Sequence, residues 1–442
     1  MTRLGIASIF IGFNVVAIAA APTFNKEVLP ILQANCQGCH RPGEVAPMSL
    51  IHYSDARPWA KAIKNAVASR RMPPWFAEEG SVHIANDRRL SQKDIETIIA
   101  WVDGGAAEGD AKDKPAPLAF NNGWNIKPDM VIEMPEPYQL PAKGTVDYQY
   151  ILVKGNIQQE LWVKSAEMRP GNSRVLHHGK VFVRPTGSKF MANAIPGVAY
   201  ARTTAGENEM SDGNDIIGKF NPGLGAQTFE IDGSAKLIPK GSDFVFELHY
   251  TTMGQETSDR SKVGLVLAKG QPEKRYFLSP GTPAAFNLTI PAGDSHAEVV
   301  SEVTINEPAT LVYVQPHMHV RGKDYEMRLI YPTGESETIL KAKWDFEWQL
   351  GYNLAKPIDM PKGTRMLVTT HYDNSANNKF NPDPTATVNW GDQSWEEMQG
   401  TFVGMVIPAK GHPDKVFVPS GVSLLKKGDK GPTMAQVELP KK

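Results

Sequence analysis

The chain has 442 residues, which predicts about three domains, because one hydrophobic core rarely serves more than about 250–300 residues. Its formal net charge is −1, from 47 basic and 48 acidic residues, and this argues against nucleic acid or an anionic surface as a partner. The 38 glycines and 34 prolines favour many turns over long helices.

The first 21 residues are typical of an export signal. Arg3 supplies the positive charge, residues 4–16 an apolar stretch, and residues 17–19 or 19–21 a small-residue cleavage site. The alternative is an uncleaved anchor, because residues 4–21 nearly span a bilayer. Asn14 and the alanines favour cleavage, and no later segment is apolar enough to cross a membrane. We expect a periplasmic or secreted mature protein without a membrane span.

The two cysteines of the chain lie in one short motif. Cys36 and Cys39 are followed directly by His40, which is the attachment pattern of c-type haem. Two thioether bonds to haem use both thiols, so no structural disulfide is expected. The alternative is a redox or metal-binding CxxC, and the histidine behind an export signal favours haem.

His40 is the predicted proximal ligand of this haem, and a thioether or a second histidine is expected opposite it. Met72 is the preferred sixth ligand, because the prolines that follow it hold its loop out of a helix. Met48, His52 and His83 compete for this role. The segments CQGCHRPG and RRMPPW resemble those of exported bacterial mono-haem cytochrome c domains, and this resemblance also supports Met72.

Three helical patterns surround the motif and predict a small all-α class-I cytochrome c domain over residues 22–113. The first is an apolar stripe over residues 28–32. The second is a helix capped by Ser54 or Asp55 that carries Trp59, Ile63 and Val67. The third begins with a capping box at Ser91 and Asp94 and ends at Gly104–Gly105.

The remainder of the chain predicts two all-β, jelly-roll-like antiparallel sandwiches. A charged, proline-containing linker over residues 114–123 precedes short alternating apolar runs separated by turn residues. Nearly 300 residues exceed one sandwich, and the polar stretch at 269–274 is the natural boundary. The predicted domains are 124–270 and 275–410, followed by a loosely ordered tail over 411–442.

Histidines recur in the first predicted sandwich. His177 and His178 are adjacent, so in a regular strand they face opposite ways, and both can bind one metal only at a strand end or a bulge, which Gly179 permits. His249 follows Phe244, Phe246 and Leu248 on a strand, and lies on the face opposite these apolar residues.

In the second sandwich, His317 and His319 end an apolar run. Alternation along a strand directs both imidazoles to one face, about 7 Å apart, where they can close on one ion. The alternative is two surface histidines. Met398 adds a thioether, and thioether with imidazole favours copper over zinc or a hard metal. For His371 three roles stay open: an additional metal ligand, a residue that contacts a metal ligand, or a surface residue. His296 and His412 are expected to be solvated.

The ordered motifs HH, HY, HxH and E-M between residues 124 and 408 resemble the copper type II ascorbate-dependent monooxygenases, which include the peptidylglycine α-hydroxylating and dopamine β-monooxygenases. The resemblance implies two β-sandwiches that face each other across a cleft, with one copper on each. It implies an electron-supplying copper on His177, His178 and His249. It also implies a second copper on His317, His319 and Met398 that binds O2 and hydroxylates a C–H bond.

Three departures limit this transfer. The animal enzymes are rich in disulfides, whereas this chain has no cysteine left, and Gln399 follows the ligand methionine. His371 lies where those enzymes have another half-cystine. The residues that hold a substrate carboxylate in the peptide-hydroxylating members are replaced by Gln315, Gly400 and Phe402, which argues against a peptidylglycine substrate.

The sequence therefore predicts an exported haem- and copper-dependent monooxygenase acting on a small organic substrate with O2. Electrons from an external reductant or redox partner protein are expected to pass through the fused cytochrome to the first copper. The alternative is a non-catalytic electron-transfer or copper-binding protein. A zinc hydrolase using His317 and His319 is weaker, because it needs a nearby carboxylate base and has no role for a thioether.

Overall fold

The computed structural model describes residues 21–418 except 45, 121–122, 202–214, 280–281 and 392. The described chain is mostly β-sheet with few helices, as the composition predicted. The predicted export signal up to residue 20 and most of the predicted tail lie outside the described residues. Within the described residues, no helix combines the length and apolarity needed to cross a membrane.

The α-helices lie in the first quarter of the chain and share a small apolar core that includes Phe24, Leu32, Ile63, Ile98 and Trp101. They are α1 (Leu29–Asn35), α2 (Tyr53–Ala56), α3 (Ala60–Ala68) and α4 (Gln92–Asp103), with a π-helical turn at Phe24–Val28 and 3-10 turns at Arg57–Trp59 and Ala111–Asp113. A further 3-10 turn, Pro413–Lys415, follows the last strand.

The boundaries of two predicted helices can be compared with the structure. The Ser91 cap of α4 is confirmed, since its hydroxyl accepts the Asp94 backbone N–H at 3.1 Å. The helix predicted from Ser54 or Asp55 is wrong in two respects: it starts at Tyr53 without a side-chain cap, and it is interrupted between α2 and α3. The interruption contains Pro58, which has no N–H to donate to the preceding turn.

The β region contains twenty-two described strands. They are β1 (Met130–Glu133), β2 (Tyr138–Leu140), β3 (Gln149–Val153), β4 (Leu161–Arg169), β5 (Leu176–Arg184), β6 (Ala199–Ala201), β7 (Asp215–Phe220), β8 (Gln227–Thr228), β9 (Ser234–Ile238), β10 (Asp243–Tyr250), β11 (Thr257–Asp259), β12 (Lys262–Leu267), β13 (Lys274–Ser279), β14 (Thr289–Ile290), β15 (Ala297–Thr304), β16 (Ala309–His317), β17 (Gly322–Ile330), β18 (Ser336–Lys343), β19 (Tyr352–Met360), β20 (Arg365–Tyr372), β21 (Val388–Asn389) and β22 (Gly400–Pro408).

These strands form β-sandwich layers around two apolar cores. A nine-stranded sheet has the order β1-β12-β4-β9-β13-β22-β16-β19, with β8 beside β4. A five-stranded sheet, β6-β3-β10-β5-β7, belongs to the first half of the region, and a four-stranded sheet, β15-β20-β17-β18, belongs to the second half. Short pairs β11-β2 and β14-β21 complete the described pairing. The large sheet runs through both halves, because β9 and β13 pair in parallel.

An extended strap, residues 75–89, joins the helical segment to the second half of the β region. Backbone hydrogen bonds run from Glu78 N–H to Lys341 O at 2.8 Å and from Ala85 N–H to Asn353 O at 2.8 Å. The strap therefore covers the outer strands β18 and β19, whose exposed edges would otherwise offer unpaired backbone groups.

Asn86 anchors this strap with its side chain. Its amide donates to Gly351 O at 2.9 Å and accepts the Asn353 N–H at 2.8 Å. We expect Asn86→Ala to lower the free energy of unfolding by about 1–3 kcal/mol, because partly buried backbone groups lose their partners. Urea unfolding measures this loss. Asn377→Ala, at an exposed asparagine, should change the free energy by less than about 0.5 kcal/mol, and an equal loss in both variants would contradict the anchoring role.

Candidate metal centres

The first histidine cluster, His177, His178 and His249, lies where β5 and β10 pair. His178 faces His249 in the register, whereas Tyr250 pairs with Leu176, so His177 is the extra residue of a bulge. Of the two arrangements that the sequence left open, a strand end or a bulge, the structure has the bulge. It turns two adjacent histidines toward the same neighbour, which a regular strand would not allow.

The ring nitrogens of this cluster converge. The Nδ1 atoms of His177 and His178 are 3.1 Å apart, and the Nδ1 atoms of His249 and His178 are 3.4 Å apart. One ring nitrogen from each of the three residues lies within 4.8 Å of the others. Three convergent imidazole nitrogens fit an imidazole-binding metal such as copper or zinc.

Tyr148 contacts two histidines of the first cluster, His178 and His249. Its hydroxyl lies 2.9 Å from the Nε2 atom of His178, and its ring stacks on that of His249 at 4.5 Å. The tyrosine thus occupies the second nitrogen of His178 and leaves Nδ1 toward the other two rings. Outer partners of this kind fix the orientation of metal-binding histidines.

Burial keeps these histidines neutral. It lowers the pKa of His177, and lowers the pKa of His178 well below its usual value, with the neighbouring histidines adding to the effect. The pKa of His249 is lowered to about 4, first by burial and then by His177. Neutral imidazole is the form that binds a metal, so the cluster is ready for one at neutral pH.

The second histidine cluster, His317 and His319, lies at the end of β16. Their ring centroids are 5.4 Å apart and nearly perpendicular. The Nδ1 atom of His317 lies 2.8 Å from Gln349 Oε1, and the Nδ1 atom of His319 lies 3.3 Å from Glu396 O. Both Nδ1 atoms are occupied, which leaves the Nε2 atoms for a metal. Burial is the main cause that lowers the pKa of His317 to about 3 and that of His319 to about 4.

Met398 lies beside the second histidine cluster through its backbone. His317 pairs with Gly400 in the register of β16 and β22, and Met398 is two residues before Gly400. The N–H groups of Met398 and His319 donate to the same Glu397 oxygen, Oε2, at 3.3 Å and 2.8 Å, so the Met398 backbone lies beside that of His319. The Tyr372 hydroxyl donates to Met398 O at 2.7 Å and fixes this segment.

Glu397 organises the loop that carries the second histidine cluster, and sequence reasoning gave it no role. Its carboxylate accepts the backbone N–H groups of His319 at 2.8 Å and Arg321 at 2.7 Å. Burial raises its pKa to about 8, and the backbone donors oppose that rise. The carboxylate is thus engaged in holding the backbone rather than facing a ligand.

A bridging loop, residues 344–350, contacts both histidine clusters. The Phe346 ring lies 5.5 Å from that of His177 and 6.5 Å from that of His319, so these two imidazoles are at most about 12 Å apart. Trp344 Nε1 donates to His319 O at 2.9 Å, and Gln349 holds His317. A cavity of about 860 Å³ borders Trp344 and Phe346. No sequence pattern marks this loop, because its residues have no strand or helix period.

The predicted haem residues lie in and after the turn that follows α1. Burial raises the pKa of the Cys36 thiol to about 12 and raises that of Cys39, which argues against a reactive redox pair. The Nδ1 atom of His40 lies 3.3 Å from Met48 O, which leaves Nε2 for iron. Met48 is therefore engaged, through its carbonyl, on the side of the ring opposite to Nε2.

Met72 follows α3, and its N–H donates to Ala66 O at 3.2 Å. No hydrogen bond between described residues connects Met72 with His40. Trp75, three residues later, has a buried Nε1–H with no hydrogen-bond partner among the described residues. An acceptor such as a haem propionate would satisfy it, so this orphaned donor fits the predicted group.

The remaining histidines lie apart from the two clusters. His371 lies on the outer face of β20, where its Nδ1 atom is 2.6 Å from Asp324 Oδ1 and its ring stacks on that of His296 at 4.1 Å. His296 and His412 are exposed, His83 belongs to the strap through its backbone carbonyl, and His52 precedes α2.

Comparisons with known proteins add little to this geometry. No family model matches the sequence, and no curated protein matches it. Among solved structures, a match described as PNGF-II is 11% identical over 63% of this chain and 65% of that chain, with a TM-score of 0.28. A structure of infectious bursal disease virus, Gx strain, is 10% identical over 68% of this chain and 77% of that chain, with a TM-score of 0.18. Likenesses this low carry no information about function.

The lowered pKa values predict a pH dependence of stability in the metal-free protein. The histidines of the unfolded chain titrate near about 6.5, whereas those of the two clusters stay neutral to lower pH. Between these values the unfolded state binds more protons, so stability is full above about pH 6.5 and falls as the pH is lowered toward 4. For His249 alone the loss is at most about 3 kcal/mol.

Urea unfolding of the metal-free protein at pH 7, 6 and 5 measures this slope. His317→Gln should flatten it, whereas Asn377→Ala, which removes no titratable group, should leave it unchanged. An unchanged slope in His317→Gln would contradict the assignment of the proton uptake.

Proposed function

We propose that the protein is an exported haem- and copper-dependent monooxygenase. The net reaction converts R–H, O2, two electrons and two protons into R–OH and water, with electrons that enter from an external donor through the CxxCH segment. The observation that carries the proposal is the pair of half-buried, neutral histidine clusters, of which His177 and His319 lie within about 12 Å of each other on either side of one loop. Bound copper supplies one-electron redox steps and O2 binding, and a c-type haem supplies storage for one electron.

In this proposal the two histidine clusters have different roles. His177, His178 and His249 would hold the copper that receives electrons, with Tyr148 orienting His178. His317, His319 and Met398 would hold the copper at which the substrate reacts. Gln349 and the Glu396 carbonyl orient the two imidazoles, so that both Nε2 atoms face the metal. Phe346 lies between the two centres, where its ring is near one histidine of each.

The helical segment would hold the haem through Cys36, Cys39 and His40. His40 is oriented by the Met48 carbonyl, and Met72 is the proposed sixth ligand. The unpaired Trp75 donor supports a bound anionic group nearby. This arrangement agrees with the resemblance to mono-haem cytochrome c domains noted in the sequence.

Two other functions compete with this proposal. A non-catalytic electron-transfer or copper-binding protein would use the same ligands, and it differs only in lacking reaction with O2 and a substrate. A zinc hydrolase needs a free carboxylate base beside the metal. Glu397 does not meet this need, because its oxygens accept backbone N–H groups.

Metal content tests the proposed cofactors. The purified mature protein should contain about one iron and two coppers per chain by elemental analysis, with a c-type haem spectrum. Met398→Ala and His317→Ala should each lose about one copper, because a soft or imidazole donor is removed. The matched control His371→Ala should keep two. One iron without copper, after expression with ample copper, would contradict the monooxygenase and leave a cytochrome on a β scaffold.

The sixth haem ligand is tested by optical spectroscopy. Met72→Ala should remove the weak thioether-to-iron charge-transfer absorbance of the oxidised haem and lower its reduction potential, because a thioether raises the potential. Met48→Ala should retain that absorbance, since its role is through the backbone carbonyl. The opposite pattern would assign the ligand to Met48.

A further inference from the structure

Lys219, on β7, is a buried lysine that has no carboxylate partner among the described residues. Its side chain is 3% exposed, and its Nζ atom donates to the amide oxygen of Gln315 and lies 3.6 Å from the centre of the Phe402 ring. Among the residues that the structure describes, no carboxylate contacts this ammonium. A buried charge without its counter-charge is costly, and burial lowers the pKa of Lys219 well below its usual value.

Lys236, on β9, is a buried lysine with a structural role, and its partners provide a comparison for Lys219. It is also fully buried and also lies near aromatic rings. Its Nζ atom forms an ion pair with Asp215 at 2.9 Å and also donates to Ile216 O. Lys219 lacks this compensation, so its charge is not explained by the packing of the fold.

The position of Lys219 is beside the second histidine cluster. Gln315 is two residues before His317 on β16, and the Phe402 ring lies 6.0 Å from the His317 ring. Lys219 comes from the five-stranded sheet, whereas Gln315 and Phe402 belong to the nine-stranded sheet. The ammonium therefore reaches the junction of the two sheets next to a candidate metal ligand.

A second lysine at this junction is already paired with a carboxylate. Lys180 Nζ lies 5.8 Å from the centre of the same Phe402 ring, and Glu247 neutralises it at 2.6 Å. A divalent metal on the histidines would add positive charge beside Lys219. An anion at Lys219 would offset the charge of that metal.

We propose that Lys219 binds an oxyanion of a ligand at the second histidine cluster, the ligand oxygen taking the place of the Gln315 amide oxygen. The anion is either the carboxylate of an organic substrate or a small inorganic oxyanion, and both offer the same acceptor chemistry. This inference rests on the proposed role of the second histidine cluster as the substrate-side centre. The ligand would be an anion, and the lysine that binds it lies on the five-stranded sheet, whereas the second histidine cluster lies on the nine-stranded sheet.

Stability separates a binding charge from a structural one. Lys219→Met should keep or raise the midpoint of thermal unfolding, because an uncompensated buried cation is replaced by an apolar side chain of similar length. Lys236→Met should lower the midpoint, because Asp215 is left buried without its partner. If Lys219→Met lowers the midpoint as much as Lys236→Met does, Lys219 is structural and the proposal is wrong.

Anion titration provides the direct test. The protein is titrated with acetate or nitrite, first as purified and again after copper removal. Chloride at equal ionic strength is the control, and the midpoint of thermal unfolding is recorded. We expect acetate or nitrite to stabilise the wild-type protein, and Lys219→Met to bind it at least about tenfold more weakly. Stronger binding of acetate indicates an organic carboxylate, and stronger binding of nitrite an inorganic oxyanion.

Equal shifts in wild type and Lys219→Met, or no shift beyond that of chloride, would overturn the proposal. This outcome is distinct from failure of the proposed function, since the copper-free titration does not depend on metal content and missing copper is detected by elemental analysis.

Discussion

The parallel pairing of β9 with β13 is the constraint on which the arrangement of both candidate centres depends. It joins the sheet of the first half to that of the second, so β16 and β22 continue a layer that begins with β1 and β12. A continuous sheet restricts relative rotation of the halves more than a flexible linker does. The bridging loop then sets the spacing, because Phe346 contacts a histidine from each cluster.

Within this frame, each histidine cluster is pre-organised by groups that do not themselves face the metal position. Tyr148 occupies the outer nitrogen of His178, and Gln349 occupies that of His317. Glu397 holds the backbone between His319 and Arg321. Such second contacts reduce the number of ring orientations that must be lost when an ion binds, which raises metal affinity.

Local rules were sufficient where neighbours along the chain determine geometry. The need for a bulge at His177–His178 and the shared face of His317 and His319 follow from strand alternation alone. The broken helix at Arg57–Trp59 was missed although Pro58 signals it, because the apolar spacing around it is helical. Gln349, Phe346 and Lys219 could not be predicted, since their roles arise from contacts with residues 27 to 169 positions away. Long-range contacts of this kind leave no periodic signal in the sequence.

The strap of residues 75–89 has a consequence for the modularity of the chain. The helical segment resembles an independent electron carrier appended to a β scaffold, yet its strap pairs with the outer strands of two sheets. Expression of the β region alone would leave β18 and β19 as open edges, which are templates for intermolecular strand pairing. The helical segment is therefore expected to protect its neighbour from aggregation, so that the two parts of the chain are coupled through solubility as well as through sequence.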